Sequence, residues 1–124
     1  MAARAIRTVL TTVPDTESGA RLCRALLAER LIACGTVLPG ARSIYRWEGR
    51  VEDEAEAFVV LKTARSRVAD LMQTIRGLHP YDVPEVLVLG VEAGDEAYTE
   101  WVVRETEPVG DDDGPAAAGR TDEP

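Results

Sequence analysis

The stretch that decides the fold is RVEDEAEAFVVLKT, residues Arg50–Thr63. Its first half is polar and acidic, and its second half holds the apolar run FVVL at Phe58–Leu61. In an antiparallel sheet with helices on one face only, a strand should alternate between apolar and polar residues. FVVL does not alternate. We therefore predict one long strand whose first half projects into solvent and whose second half lies in a core covered on both faces.

The residues before this strand predict a first strand, a helix and a hairpin partner. Ile6–Val13 is rich in β-branched residues and roughly alternates, which is typical of a strand. From Asp15 the apolar residues take a helical period, with one face made of Cys23, Leu26, Leu27 and Leu31. Ala33–Trp47 predicts a strand with a bend at Pro39-Gly40. Glu48-Gly49 predicts the hairpin turn that leads into the long strand.

Two helices and one strand are predicted after the long strand. Thr63 or Ser66 opens a helix that Gly77 and Pro80 close, with an apolar stripe of Val68, Leu71, Met72, Ile75 and Leu78. The last strand is predicted over Glu85–Val91, and a short helix follows it. The order β-α-β-β-α-β is the ferredoxin-like arrangement. We therefore predict an α+β sandwich with a long β-hairpin arm and a short C-terminal helix.

A second apolar run, VLVLGV at Val86–Val91, also lacks alternation. Only the short final helix is left to cover the second face of the sheet. Apolar area left in water costs roughly 25 cal/mol per Å², and wide exposed apolar patches mark interaction sites. We therefore expect several copies of the chain to cover this face for one another, with the hairpin arm reaching the edge of a neighbour's sheet.

Length and charge predict one domain followed by an acidic tail. The chain has 124 residues, a single-domain length, and a net charge of −8. Residues Glu107–Pro124 contribute −5 of that charge and are rich in Pro, Gly, Ala and Asp. We assign residues 1–106 to the domain. The tail, residues 107–124, is expected to be disordered because few apolar side chains offset the entropy of ordering it, and an interaction tail is the alternative.

Several functional classes are not expected. No segment is apolar for long enough to span a bilayer and no secretory signal is visible, so we expect a cytoplasmic protein without a membrane partner. Cys23 and Cys34 lie in periodic segments, which indicates reduced thiols. The acidic chain lacks the basic-aromatic motif of RNA-binding sheets, a glycine-rich phosphate loop and catalytic-triad spacing. We therefore expect neither nucleic-acid binding nor catalysis, and no catalytic residue.

Five motifs in order resemble the divalent-cation tolerance protein CutA family. They span about Thr11 to Val102 and read TTVPD, LIACGTVLPGARSIYRWEGRVE, LKTARSRV, LHPYDVPEVLVL and GDEAYTEWV. The resemblance implies a ferredoxin-like subunit in a tight homotrimer, similar in architecture to the nitrogen-regulatory PII signalling proteins. It also implies a role in the response to divalent metal ions, copper among them. The homotrimer agrees with the self-association expected from the strand pattern.

His79, the chain's only histidine, is the candidate metal ligand. Where the resemblance implies copper, the family pattern has a cysteine near the end of the first strand and two adjacent histidines before Pro-Tyr. Those positions hold Thr11, Leu78 and His79 here. His79 is thus the single matching ligand for copper or zinc, and no cofactor is required. The alternative is a structural histidine that bonds the terminal carbonyls of the second helix and its dipole.

Seven residues are candidates for a ligand cleft between subunits: Cys34, Tyr45, Trp47, Glu48, Lys62, Tyr81 and Glu85. The aromatic residues are equally compatible with a protein interface, the lysine with a snorkelling side chain and the cysteine with a small buried hydrophobe. The leading hypothesis is a trimeric CutA-type protein that responds to metal ions and senses a ligand at such clefts. The alternative is a PII-like signalling or adaptor trimer that binds a small anion or a protein partner and no metal.

Overall fold

The computed structural model of the protein describes residues 2–108. After a 3-10 turn at Ala2–Ala5, the elements are β1 Ile6–Val13, α1 Thr16–Ala28, β2 Cys34–Trp47, β3 Arg50–Ala64, α2 Val68–Leu78, β4 Leu87–Gly90 and α3 Glu96–Glu105. The strands form one antiparallel sheet in the order β2-β3-β1-β4. The predicted ferredoxin-like α+β order is confirmed. Most of the predicted tail, residues 109–124, lies outside the described residues.

Helix α1 begins and packs as its sequence predicts. The Asp15 side chain caps it by accepting a hydrogen bond from the Ser18 backbone N–H at 2.8 Å. Its buried face is narrower than predicted, because Leu27 is 43% exposed. Where β2 passes beneath the helix, a Cβ on Gly35 would stand 2.3 Å from the Cys23 Sγ. Glycine at position 35 is therefore what lets helix and strand approach so closely.

Helix α2 begins differently from the prediction. A 3-10 turn at Arg65–Arg67 precedes Val68, and no side chain caps the helix. The Thr63 hydroxyl, expected at the cap, instead donates to the Leu31 carbonyl at 2.7 Å in the core. Of the predicted stripe, Leu71 and Ile75 are fully buried, whereas Met72 and Leu78 are exposed. The helix is thus anchored by a narrower apolar seam than its sequence suggested.

The main core lies between α1, α2 and one face of the sheet. The β1–β3 register pairs Val9 with Leu61 and Thr11 with Val59, so these residues share the helix side. The cluster is aliphatic: its fully buried members include Val9, Val13, Leu26, Ile32, Val59, Leu61, Leu71 and Ile75. This packing explains why the odd-numbered half of the FVVL run is buried.

The even-numbered half of the same run points to the opposite side of the sheet. Helix α3 covers only one end of that side, where Trp101 and Val102 pack with Ile6 and Ala33. The residues beyond its reach are called here the open face: Leu10, Thr36, Leu38, Phe58, Val60, Leu87 and Leu89, placed on one side by the strand register. Three of its leucines are 44–54% exposed. One copy of residues 2–108 therefore leaves this apolar surface uncovered.

Strands β2 and β3 extend past the sheet as a hairpin arm, residues 41–56. A bulge between Leu38 and Ala41 sets it off, with Gly40 at a φ of 79°. Glu48 and Gly49 both have positive φ, 50° and 80°, as a tight hairpin turn with the right-handed strand twist requires. The bend and the turn lie where the sequence predicted them.

The last strand is shorter than predicted, since β4 covers Leu87–Gly90 and not Glu85–Val91. Pro80 and Pro84 leave the segment between α2 and β4 irregular, because proline has no N–H to give to a ladder. This segment, residues 79–86, runs beside the arm. Over residues 2–108, none of the three α-helices has the length and apolar character to span a membrane.

Candidate functional site

His79 sits at the C-terminal end of α2 with its ring pointed at β1. The ring Nε2 lies 2.8 Å from the Thr12 carbonyl and 3.2 Å from the Thr11 hydroxyl, and Nδ1 lies 3.1 Å from the Tyr81 backbone nitrogen. Because a backbone N–H can only donate, Nδ1 accepts and the ring proton is on Nε2, which donates to Thr12. The imidazole is therefore held in one neutral tautomer.

Burial lowers the pKa of His79, and it outweighs the hydrogen bond to Thr12 and the charge of Glu56, which act in the opposite direction. Only 8% of the residue is exposed. The ring does not bond the helix carbonyls, as the structural alternative expected, but the Thr12 carbonyl and the Tyr81 N–H; the His79 backbone N–H closes the helix by donating to the Ile75 carbonyl. His79 instead ties the end of α2 to β1 through its side chain.

These residues do not fit a copper or zinc site. Both ring nitrogens of His79 are engaged in hydrogen bonds, the neighbouring position is the hydrocarbon of Leu78, and Thr11 offers only a hydroxyl. Within residues 2–108 no group of three or more His, Cys, Asp or Glu side chains is placed to hold a metal ion. Affinity for a transition metal needs several converging ligands, so His79 alone is a poor anchor.

A groove of about 640 Å³ lies between the arm and residues 81–85. Three aromatic residues line it, Tyr45, Trp47 and Tyr81, together with four carboxylates, Glu54, Glu56, Asp82 and Glu85. None of the described residues that line it is lysine or arginine. We call this feature the acidic groove. It is formed by side chains of one copy of the chain.

The wall of the acidic groove is fastened by Tyr81, whose hydroxyl donates to Glu56 at 2.5 Å. Its ring lies 4.9 Å from the His79 ring, and its N–H is held by the same imidazole. Burial, the bond to Glu56 and nearby negative charge all raise the pKa of Tyr81. Burial and the charges of Glu54, Glu52 and Glu56 also raise the pKa of Tyr45. Both phenols therefore stay protonated in a negative field.

A second cluster lies where α3 meets the sheet. Cys34 and Lys62 are register partners on β2 and β3, and the Cys34 Sγ lies 3.3 Å from the Tyr98 hydroxyl. The Lys62 ammonium is 5.9 Å from the centre of the Tyr98 ring. Burial, followed by the bond to Cys34, raises the pKa of Tyr98 to about 12. This cluster joins a thiol, an amine and a phenol at one end of the open face.

The structure divides the seven candidate cleft residues into three places. Tyr45, Trp47, Tyr81 and Glu85 line the acidic groove, Cys34 and Lys62 lie in the Tyr98 cluster, and Glu48 occupies the hairpin turn. The sequence reasoning missed Glu54, Glu56 and Asp82 in the groove. The hairpin register carried the signal for the first two, because it pairs Ser43 with Glu54 and Ala41 with Glu56 on the face that holds Tyr45.

A sequence profile of the CutA1 divalent ion tolerance protein family matches residues 7–105, most of the chain. The chain belongs to this family. Among its relatives is the divalent-cation tolerance protein CutA of Pectobacterium atrosepticum, 45% identical over 94 residues, which cover 76% of this chain and 86% of the relative. A chloroplastic CutA 1 of Oryza sativa is 40% identical over 98 residues, which cover 79% of this chain and 55% of the relative. The chain thus spans about half the length of that plant relative.

Solved CutA structures have the same fold. CutA1 from Oryza sativa superposes with a TM-score of 0.81 and 36% identity, over 86% of this chain and 98% of that one. The Thermus thermophilus protein superposes with a TM-score of 0.79 and 37% identity, over 82% and 99%. The resemblance read from the five motifs is confirmed, and with it the fold.

Proposed function

We propose that the chain is a homotrimeric CutA protein that acts in the cellular response to divalent metal ions. The observation that carries the oligomer is the open face, the apolar part of the sheet that helix α3 leaves uncovered. The two sheet edges, β2 and β4, add unpaired backbone groups that another copy can pair with. The role in metal tolerance rests on the family, whose bacterial members carry that name.

The oligomer is tested by light scattering on the full chain. The expected particle has three times the 13.5 kDa of one chain at micromolar concentration. A charge placed on the open face, Leu89→Glu, should yield smaller particles. The matched control is Leu27→Glu on α1, since Leu27 and Leu89 are 43% and 46% exposed. Circular dichroism checks that both variants fold. A folded monomer of the native chain overturns the trimer, and equal loss of assembly in both variants overturns the open face as its interface.

We propose a ligand-sensing role for the acidic groove and not tight chelation at His79. The groove is lined by titratable and aromatic side chains, whereas both ring nitrogens of His79 are already hydrogen-bonded, to Thr12 and Tyr81. Calorimetric titration with copper and zinc should therefore show only weak binding, and the same binding in His79→Gln. Tight binding that disappears in that variant restores His79 as a metal ligand.

The second candidate function is a PII-like signalling or adaptor trimer that binds a small anion or a protein partner and no metal. Its supporting observation is Lys62, which lies with Cys34 and Tyr98 at the end of the open face. Phosphate titration of the native chain and of Lys62→Gln separates the two. Binding that depends on Lys62 favours the second candidate.

We propose that the protein acts in the cytoplasm by binding, that it catalyses no reaction, and that it binds neither nucleic acid nor a membrane. Free thiols at Cys23 and Cys34 suit a reducing compartment. The engaged nitrogens of His79 leave it without a free base for a substrate proton. Because two plant relatives are named chloroplastic, the compartment is tested by fractionating the source cells and following the protein with an antibody.

A further inference from the structure

The acidic groove holds negative charge that the chain itself does not neutralise. Glu54, Asp82 and Glu85 accept no hydrogen bond and form no ion pair within residues 2–108, and only Glu56 has a partner, Tyr81. The arginines of the arm that form ion pairs are bound to other carboxylates, Arg42 to Asp53 and Arg50 to Glu52. The complementary occupant is therefore a cation from outside the chain.

The aromatic rings and the volume of the acidic groove indicate which kind of cation fits it. The carboxylates share the groove with the rings of Tyr45, Trp47 and Tyr81, and cations bind to the faces of such rings. A volume of about 640 Å³ is far more than a bare metal ion needs and lies in the usual range for small organic ligands. Within residues 2–108, no group of three or more carboxylate, cysteine or histidine side chains is placed to hold a metal ion.

We propose that the acidic groove binds a small organic cation, an ammonium or quaternary ammonium group on a hydrocarbon carrier. The ammonium group of the ligand lies among Glu54, Asp82 and Glu85, and its hydrocarbon part packs against Tyr45 and Trp47. The inference deepens the proposed ligand-sensing role and rests on it for its biological meaning. Binding itself uses the residues of one copy.

Tryptophan fluorescence and calorimetry on the full chain test the proposal. The chain has two tryptophans. Trp47 lines the groove, whereas Trp101 of α3 is buried against Ile6 and Ala33. A groove ligand should therefore change the emission of Trp47 alone. The probes are choline, putrescine and n-butylammonium. The neutral isostere of choline, 3,3-dimethyl-1-butanol, tests whether charge is needed. We expect saturable binding of the ammonium probes and no competition from the neutral alcohol.

Substitutions locate the site. Glu85→Gln and Trp47→Leu should each weaken calorimetric binding by about two- to fivefold, the effect of one lost ion pair or cation–ring contact in a partly exposed groove. The matched control is Glu100→Gln, an exposed glutamate on α3 away from the groove. Silence toward all three probes, equal binding of the alcohol, or equal affinity in all variants overturns the proposal.

Light scattering on the same samples separates this inference from the proposed trimer. A monomer that binds choline through Glu85 refutes the trimer and keeps the groove ligand. A trimer that ignores every probe refutes the groove ligand and keeps the trimer.

Discussion

His79 and the acidic groove meet at Tyr81, yet they differ in how their bonding capacity is used. Both ring nitrogens of His79 have partners inside the chain, and the residue is buried. Three groove carboxylates have no partner among residues 2–108, and the neighbouring residues Tyr45 and Trp47 are 42% and 46% exposed. The chain's only histidine is thus fully bonded within the chain, while the carboxylates without partners lie beside aromatic rings.

The largest effect is expected from removing the imidazole. His79→Ala should lower the free energy of unfolding by about 2–3 kcal/mol, because the Thr12 carbonyl and the Tyr81 N–H lose their partner and a cavity is left. Urea unfolding followed by circular dichroism measures it. The control is Gln73→Ala, an exposed position on the same helix. Equal stability of the two variants would mean that the hydrogen bonds of the His79 ring contribute nothing to the unfolding free energy.

Removing the hydroxyl that joins the two regions should cost less. Tyr81→Phe deletes the donor to Glu56, a bond to a charged acceptor at a half-buried site, and should lower the unfolding free energy by about 1 kcal/mol. The control is Tyr45→Phe, whose hydroxyl has no hydrogen-bond partner among the described residues, and its stability should stay unchanged. If both substitutions cost the same, the wall of the groove is not held by the Tyr81–Glu56 bond.

The lowered pKa of His79 predicts a pH dependence of stability. Its pKa in the folded protein lies below the ordinary 6.5, so the folded state binds fewer protons than the unfolded state as pH falls through this range. The stability that the neutral ring supplies is complete above about pH 6.5 and is lost as the pH falls toward the folded pKa. The unfolding free energy of the native chain should therefore fall on acidification more steeply than that of His79→Gln, which cannot titrate there. Parallel pH curves contradict this assignment.

The fold was predictable because each of its elements is specified by sequence features within that element. Alternation, the Pro39-Gly40 bend, the Glu48-Gly49 turn and the Asp15 cap each specify their own element. The beginning of α2 was not predictable. The Thr63 hydroxyl can cap the helix or form a hydrogen bond in the core, and the sequence is compatible with both.

The candidate site was only partly predictable. Tyr45, Trp47, Tyr81 and Glu85 share the groove as a predicted subset, while Cys34 and Lys62 lie with Tyr98, a residue of α3. Which strand residues meet α3 depends on where that helix packs against the sheet, and the sequence pattern does not specify this. The Glu54 and Glu56 positions could have been inferred, because a two-residue turn at Glu48-Gly49 sets the register that brings them beside Tyr45.

The smallest effect is expected on the hairpin arm, at an ion pair outside the lining of the acidic groove. Arg42 makes two hydrogen bonds to Asp53, at 2.8 and 2.7 Å, and this contact raises the pKa of Arg42 and lowers that of Asp53. The side chains are 72% and 44% exposed, so water and salt screen the pair. Arg42→Gln should leave the urea midpoint unchanged within error, at both low and high salt. A clear loss of stability at low salt would show that the arm depends on this ion pair despite its exposure.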